Sequence, residues 1–422
     1  GPFRQFLSLR RDVLVLSVAM FAFSLGFQMT SRYVPEYLRV LGASAGVIGL
    51  YGSVGNFISA VYPYPGGAVS DRIGSRFALT LFAVVTTVGF AVWLFAPTLG
   101  VVQLAAVTIP AWAWIFVGLF LAQAWKSFGL GATFAIVKQA VAPEHLAAGF
   151  ASTETFRRIG FLIGPLLAAA LLATADGFVA GFQRVLAVAV MFGVVATVAQ
   201  HVLYDASEDT IGKRFEGVSA ILADLRGLPD PLRPLLVADT LVRFANGMVY
   251  VFFVIVVTDF LRVGFSGFGL TLAPDAYFGV LLGVEMIVAL ASMIPVAKLA
   301  ERVGLKPVVA LGFSVYAIFP VLLINAPADQ WVLALLFAYS GLRFAGLPAH
   351  KALIVGPAER DAGGRVTGAY YLVRNTIVIP SAAIGGWLYE SNPELAFGVA
   401  TAVGLVGTGY FLVFGREFEA YA

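Results

Sequence analysis

Polar residues along this chain gather in short clusters, and the stretches between them stay apolar for about 18 residues or more, long enough as helices to cross a hydrocarbon core of roughly 30 Å. Cutting the sequence at those clusters and at Pro/Gly breaks predicts twelve helices, over residues 12–39, 45–70, 76–96, 112–140, 148–174, 180–203, 232–261, 275–299, 305–325, 330–356, 366–389 and 394–415. Helices are the expected form because lipid offers no hydrogen-bond partners, so each segment has to satisfy its own backbone. The longest polar interval, from Tyr204 to Pro234, divides the spans six and six. Its middle, residues 215–228, carries apolar positions at helical spacing and predicts a short surface helix. The chain is therefore read as an all-α integral membrane protein, with a six-helix bundle over 1–203, a linker over 204–231 and a second six-helix bundle over 232–422.

Composition agrees: of 422 residues, 60% are hydrophobic and only 12% charged, which excludes a soluble domain. Arg72, Arg76, Arg226, Arg233, Lys298, Arg302, Lys306 and Arg416 fall on one side of the twelve-span scheme, and the opposite loops hold few cations beyond Arg39 and Arg262. Positive charge is retained on the cytoplasmic side, so both termini are expected there, with the protein in the cell membrane. The net charge of +3 then follows from topology, and no nucleic-acid partner is implied. The chain has no Cys, and His145, His201 and His350 are too scattered for a zinc motif, so neither metal nor thiol chemistry is expected. There is no GxxxxGK[ST] loop for ATP, and no nucleophile and base pairing points to an enzyme. No cofactor is expected, and nothing requires more than a monomer.

The two halves repeat each other. Laying Pro65 on Pro295 aligns PGGAVSDRIGSR with PVAKLAERVGLK, so that Asp71 meets Glu301, Arg72 meets Arg302, Gly74 meets Gly304 and Arg76 meets Lys306. Parallel six-helix repeats are a transporter architecture with the substrate site near mid-membrane. GGAVSDRIGSR resembles the GxxxDRxGRR loop between the second and third helices of the major facilitator superfamily, through Gly67, Asp71, Arg72, Gly74 and Arg76, with Ser75 in place of the usual first basic residue. RIGFLIGPLLAA, from Arg158 to Ala169, is similar to the fifth-helix GxxxGPxxGG motif of that family's antiporters, through Gly160, Gly164 and Pro165, although Ala168 and Ala169 stand where Gly is commoner. The resemblance covers essentially the whole chain. It implies twelve helices in two pseudo-symmetric bundles, alternating access, and a conformational latch at Gly67, Asp71, Arg72, Gly74, Arg76, Glu301 and Arg302. Solvated loop charges are the alternative reading of those residues, as plain small-residue packing is for Gly160, Gly164 and Pro165.

Charges inside the spans are the candidate chemistry, since each costs about 2.5–3.5 kcal/mol on insertion scales and has to face a cavity or a partner. Glu36, Asp239 and Glu285 are the candidate proton carriers; Glu154 lies near a helix end beside Arg157 and Arg158. Arg32 with Glu36, and Asp239 with Arg243, stand four apart and can pair on one helix face. Glu285 has no partner in its own helix, so either a basic residue across the cavity neutralises it or it carries a proton. Lys126, Arg343 and Arg374 complete the deepest group; His350 is read as a packing or loop histidine. Tyr33 and Trp125 are placed at the cavity beside Arg32 and Lys126, as are Tyr370 and Tyr371 ahead of Arg374, with Gln28, Asn56, Asn246 and Asn375 as polar groups able to orient a substrate. The antiporter-like motif points to proton-driven export of a small organic solute. The surplus of deep cations suits an anion or zwitterion, whose proton-coupled uptake is the alternative, with a non-transporting sensor or partner subunit as a third reading.

Overall fold

The computed structural model describes residues 11–140, 146–203, 217–356 and 363–417, with side chains for all of these but 11–17, 20, 67, 75, 127–157, 355 and 363–365. His145 therefore lies outside the described residues, as do the side chains of Glu154 and Arg157 and the first part of the linker. From the N-terminus the elements are α1 (Arg11–Thr30), α2 (Val34–Val40), α3 (Ala45–Val61), α4 (Pro63–Ile73), α5 (Ser75–Leu99), the strands β1 (Val102–Leu104) and β2 (Val107–Ile109), α6 (Ala113–Ala140), α7 (Leu146–Ala173), α8 (Phe178–Leu203) and α9 (Val218–Arg226). They continue with α10 (Leu232–Val249), which 3-10 and π turns extend to Phe260, then β3 (Phe265–Gly267), β4 (Leu270–Leu272), α11 (Pro274–Val303) and α12 (Leu305–Ile324). The last are α13 (Gln330–Gly341), α14 (Leu347–Val355), α15 (Gly363–Val378), α16 (Ser381–Ser391) and α17 (Pro393–Phe414).

Apart from the surface helix α9, these helices make twelve rods, the pairs α1–α2, α3–α4, α13–α14 and α15–α16 each forming one interrupted rod. Eight of the described helical stretches are long and apolar enough to cross a membrane on their own. The interruptions fall where the sequence supplies Pro or Gly: Pro35 and Pro63 open α2 and α4, Gly346 precedes α14, and Pro380 precedes α16. The two hairpins are an addition to the all-helical reading. β1–β2 fills the long gap before the fourth rod, and in β3–β4 Phe268 and Gly269 both have positive φ, as a tight two-residue hairpin turn requires.

The chain forms two compact units, residues 1–43 with 58–215 and residues 44–57 with 216–422. Residues 44–57 thus differ from the sequence division, which keeps them in the first bundle. Small side chains are the cause. Gly49 lies against the backbone of Ala382 and Gly386, Gly52 against Ala382 and Val251, and Ser53 Oγ accepts from the Ala383 amide at 2.8 Å. In the first unit, Gly89 meets the backbone of Ala122 and Gly118 meets the Trp93 ring, bringing α5 and α6 together; Tyr37 and Trp93 reach carbonyls at 2.7 and 2.9 Å. In the second, Gly385 sits on the Met248 carbonyl, Gly404 on Ala317 and Gly407 on Leu241, so that α10 is gripped by α16 and α17 around Leu235, Val242, Phe313 and Phe411.

The repeat seen in sequence is also present in backbone geometry. Gly74 joins α4 to α5 with φ 83° and ψ 158°, and Gly304 joins α11 to α12 with φ 94° and ψ 167°, a region open to Gly alone. Each following cation holds the end of its own unit's last rod: Arg76 Nε and Nη2 donate to the His201 carbonyl at 3.1 and 2.7 Å, and Lys306 Nζ donates to the Leu412 carbonyl at 3.1 Å.

Candidate functional site

Helix α10 carries the first side of the site. Asp239, Arg243 and Asn246 recur at helical spacing, and Tyr250 follows in the 3-10 turn. Arg243 does approach Asp239, as its spacing suggests, but at 3.5 Å and without a hydrogen bond. The stronger partners of Asp239 come from α14 and α15. Tyr370 donates its hydroxyl to Oδ2 at 2.7 Å, Arg374 donates Nη1 to the same oxygen at 3.0 Å, and His350 Nε2 lies 3.2 Å away. Asp239 is fully buried and His350 is 4% exposed, so the histidine is no loop residue. Its ring also packs edge-on against Phe313. Tyr370 sits behind Asp239, while Tyr371 stacks under the Arg374 guanidinium at 4.6 Å.

The second ion pair answers the question left by Glu285. It is buried in α11, accepts from Arg343 Nη2 at 3.2 Å and from Ser340 Oγ at 2.8 Å, and so faces a cation from another helix. Gly341 makes this approach feasible, because any side chain there would strike the Glu285 carbonyl. Arg343 stands in the 3-10 turn Leu342–Phe344 with its guanidinium over Phe344 at 4.6 Å and Tyr316 at 5.3 Å. Tyr316 also accepts from Arg243 Nη1 at 3.0 Å, tying the two arginines to one ring.

A cavity of about 360 Å³ in the second unit opens onto these groups. Arg243, Arg343 and Arg374 line it together with Asn56, Asn246, Asn375, Tyr250, Tyr316 and Phe344. Asp239, Glu285, Tyr370 and His350 stand behind the lining. Three guanidinium groups thus face the space and two carboxylates lie buried behind them, leaving the wall cationic. Such forked donors match a carboxylate or phosphate, and the aromatic faces offer apolar contact.

The structure brings together six of the predicted substrate-binding residues, Asn56, Arg243, Asn246, Arg343, Arg374 and Asn375, with the predicted carboxylates Asp239 and Glu285 close behind. The others lie in the first unit. Glu36 accepts from Arg39 at 3.0 and 2.6 Å, a partner three positions on that the four-residue spacing to Arg32 did not anticipate. Arg32 is half-buried in the break between α1 and α2, and Lys126 is exposed, with its ammonium 5.7 Å from the Phe27 ring. Tyr33 and Trp125, expected at a cavity, are core residues. Tyr33 packs against Phe178 and Phe182, and Trp125 stacks on Phe23 at 4.5 Å and donates to Gln200 at 3.2 Å. Gln28 forms the surface onto which Gly164 of α7 closes, and Gly160 meets Ser24 and Phe21 in the same interface. Pro165 lies within the same helix. Asp71 and Arg72 are exposed in the last turn of α4, as Glu301 and Arg302 are in that of α11; Gly67 lies within α4.

Comparison with known proteins agrees with this architecture. The Major Facilitator Superfamily profile matches residues 16–274. An uncharacterized MFS-type transporter of Methanocaldococcus jannaschii is 21% identical over 407 residues, 96% of this chain and 95% of that protein. An uncharacterized MFS-type transporter of Mycobacterium tuberculosis is 31% identical over 197 residues, 46% of this chain and 42% of that one. Among solved structures, the nucleoside transporter NupG superposes with a TM-score of 0.69 at 15% identity over 96% of this chain and 98% of its own. A bacterial metal transporter does so at 0.65 and 17% identity over 96% and 99%. The matched profile, the full-length relative and the shared twelve-rod fold lead to one conclusion: the chain belongs to the Major Facilitator Superfamily and is an integral membrane protein of the MFS transporter type.

Proposed function

We propose that this protein is a proton-coupled secondary transporter of a small organic anion or zwitterion, working by alternating access as a monomer in the cell membrane with both termini cytoplasmic. The observation that carries this reading is the cavity wall of Arg243, Arg343 and Arg374 with Asp239 and Glu285 buried behind it. A cationic drug would be repelled by such a wall; an anion would exchange its hydration for forked, charge-assisted hydrogen bonds. An anion that draws an arginine away from its carboxylate leaves that carboxylate with excess negative charge, which a proton offsets. Anion and proton then bind together, which is symport, and an inward proton gradient drives uptake. Glu36, paired with Arg39 outside this cavity, is the weakest of the three proton candidates.

Proton antiport and export remain the second reading, favoured by one observation: Gly160 and Gly164 of α7 press onto α1 at Ser24 and Gln28, the close packing that the antiporter-like motif supplies. In either direction the helix ends carrying Asp71 and Glu301 serve as reversible closures of the cycle, with Gly74 and Gly304 setting the turns that follow. Proteoliposomes loaded with a pH dye and challenged with anionic, zwitterionic and cationic solutes separate the readings. Symport of an anion acidifies the lumen when solute is added outside, and antiport alkalinises it.

A further inference from the structure

We infer that the proton site of this transporter is the buried pair His350–Asp239, and that Arg374 and Arg243 act as its switch by leaving Asp239 for the solute. The inference rests on the proton–anion symport reading and adds to it a residue, His350, and a route of coupling. Asp239 lies at a boundary. Its two cations, Arg374 on Oδ2 and Arg243 beside Oδ1, both line the cavity, whereas its two other neighbours, His350 and Tyr370, are buried on the far side and take no part in the lining. Among the described residues Oδ1 has no hydrogen-bond donor and Arg243 Nε opposite it has no acceptor, so this contact is an ion pair at 3.5 Å without a hydrogen bond. His350 Nε2 lies 3.2 Å from Asp239 Oδ2 and 3.3 Å from the Tyr370 hydroxyl, and histidine is the side-chain type suited to carrying a proton on and off near neutral pH.

Among the described residues, the groups around His350 come from its own helix and three others. From α10 come Asp239 and, behind it, Arg243; from α15 come Tyr370, Arg374 and Tyr371; from α12 come the Phe313 ring and the Tyr316 hydroxyl; on its own helix the neighbouring Lys351 points out to an exposed position. Among the described residues of this group only Asp239 is anionic. With both arginines in place, Asp239 is compensated from the cavity side. When a solute carboxylate or phosphate takes Arg374 and Arg243, the Asp239 charge is exposed to His350 across 3.2 Å, and a proton bound there restores neutrality. Linkage requires the converse: a proton on the pair loosens both arginines and raises the affinity for the anion by the same factor. Glu285 stays paired with Arg343 and Ser340 throughout and orients the third arginine.

The test needs no solute. The chain has three histidines, so ring-labelled protein in detergent gives three resolvable Cε1 signals, with that of His350 identified by its loss in His350→Gln. Arg374→Gln imitates removal of the arginine by an anion, and moves the pH at which the His350 signal changes upward by about one unit, tenfold in proton affinity. Arg243→Gln moves it the same way and serves if the first variant does not fold. Arg374→Lys, which keeps the charge, leaves it in place, and Asp239→Asn moves it down. The His201 signal, tied to Thr80 in the other unit, stays still in every variant. A His350 signal indifferent to Arg374→Gln, Arg243→Gln and Asp239→Asn overturns the inference whatever the transport assays give. Solute-evoked proton movement that persists undiminished in His350→Gln also overturns it, while leaving the symport reading intact. Absence of proton movement with every solute class, alongside the expected shifts of the His350 signal, instead defeats the symport reading alone.

Discussion

Arg374 donates to Asp239 across 3.0 Å while lining the cavity, so one guanidinium belongs both to a buried ion pair and to the surface a solute would touch. The same double membership holds for Arg343, which pairs with Glu285. Arg374→Gln is expected to weaken solute binding by tenfold or more, in line with the roughly 2–5 kcal/mol lost when a partner of a buried charge pair is truncated. Counterflow exchange in proteoliposomes reads this as a raised half-saturating concentration. Arg374→Lys retains the charge without the fork and falls between.

Glu285→Gln leaves Arg343 buried without its counter-charge, a change that costs about 3–5 kcal/mol in comparable pairs. A lowered Tm in detergent is the expected outcome. Replacing both partners, Glu285→Met with Arg343→Met, recovers most of that stability and abolishes solute binding. Equal Tm values for the wild type and Glu285→Gln would show that the pair contributes nothing to the fold.

Gly74 and Gly304 occupy a backbone region that other residues enter at a cost of about 1–3 kcal/mol. Gly74→Ala and Gly304→Ala each lower the Tm. The effect is one of backbone strain, since at Gly304 an added Cβ meets only the flexible end of Glu417. Gly368→Ala, inside α15 where an added Cβ meets nothing, does not lower the Tm and is the control.

Asp71→Asn slows the conformational cycle with little change in solute affinity, as measured by net uptake against counterflow. Arg76→Gln acts differently. It removes two hydrogen bonds to the His201 carbonyl, of about 1.5–3 kcal/mol each for a charged donor before solvent exposure is discounted, and so loosens the end of α8 as seen by faster amide exchange there. A large affinity loss in Asp71→Asn with normal cycling speaks against the latch.

Much of this architecture was legible in the sequence because lipid imposes a length rule on each rod. The predicted span 305–325 is observed as Leu305–Ile324 and 394–415 as Pro393–Phe414, and the surface helix expected over 215–228 is observed as Val218–Arg226. The hairpins were not legible: three-residue strands between rods leave no periodicity to detect. Within the site, residues four apart on one helix were readable, hence Asp239 with Arg243. Contacts across distant helices were not, and His350, 111 positions from Asp239, looked like a residue next to an exposed lysine. Trp125 misled because adjacency in sequence to Lys126 puts the two side chains on different faces of a helix, and Tyr33 because the turn between α1 and α2 sends it into the core beside Phe178 and Phe182 while Arg32 stays half-buried. Only the contacts of Glu285 could reveal Arg343 as its partner, since the pair links α11 to a turn 58 residues later.

The most direct measurement is proton movement in proteoliposomes loaded with a pH dye, with solutes of each charge class added outside, comparing the wild type with Arg374→Gln and His350→Gln. Lumenal acidification evoked by anionic or zwitterionic solutes alone, and lost in both variants, is the expected result. Acidification or alkalinisation evoked by cationic solutes and retained in both variants would contradict it.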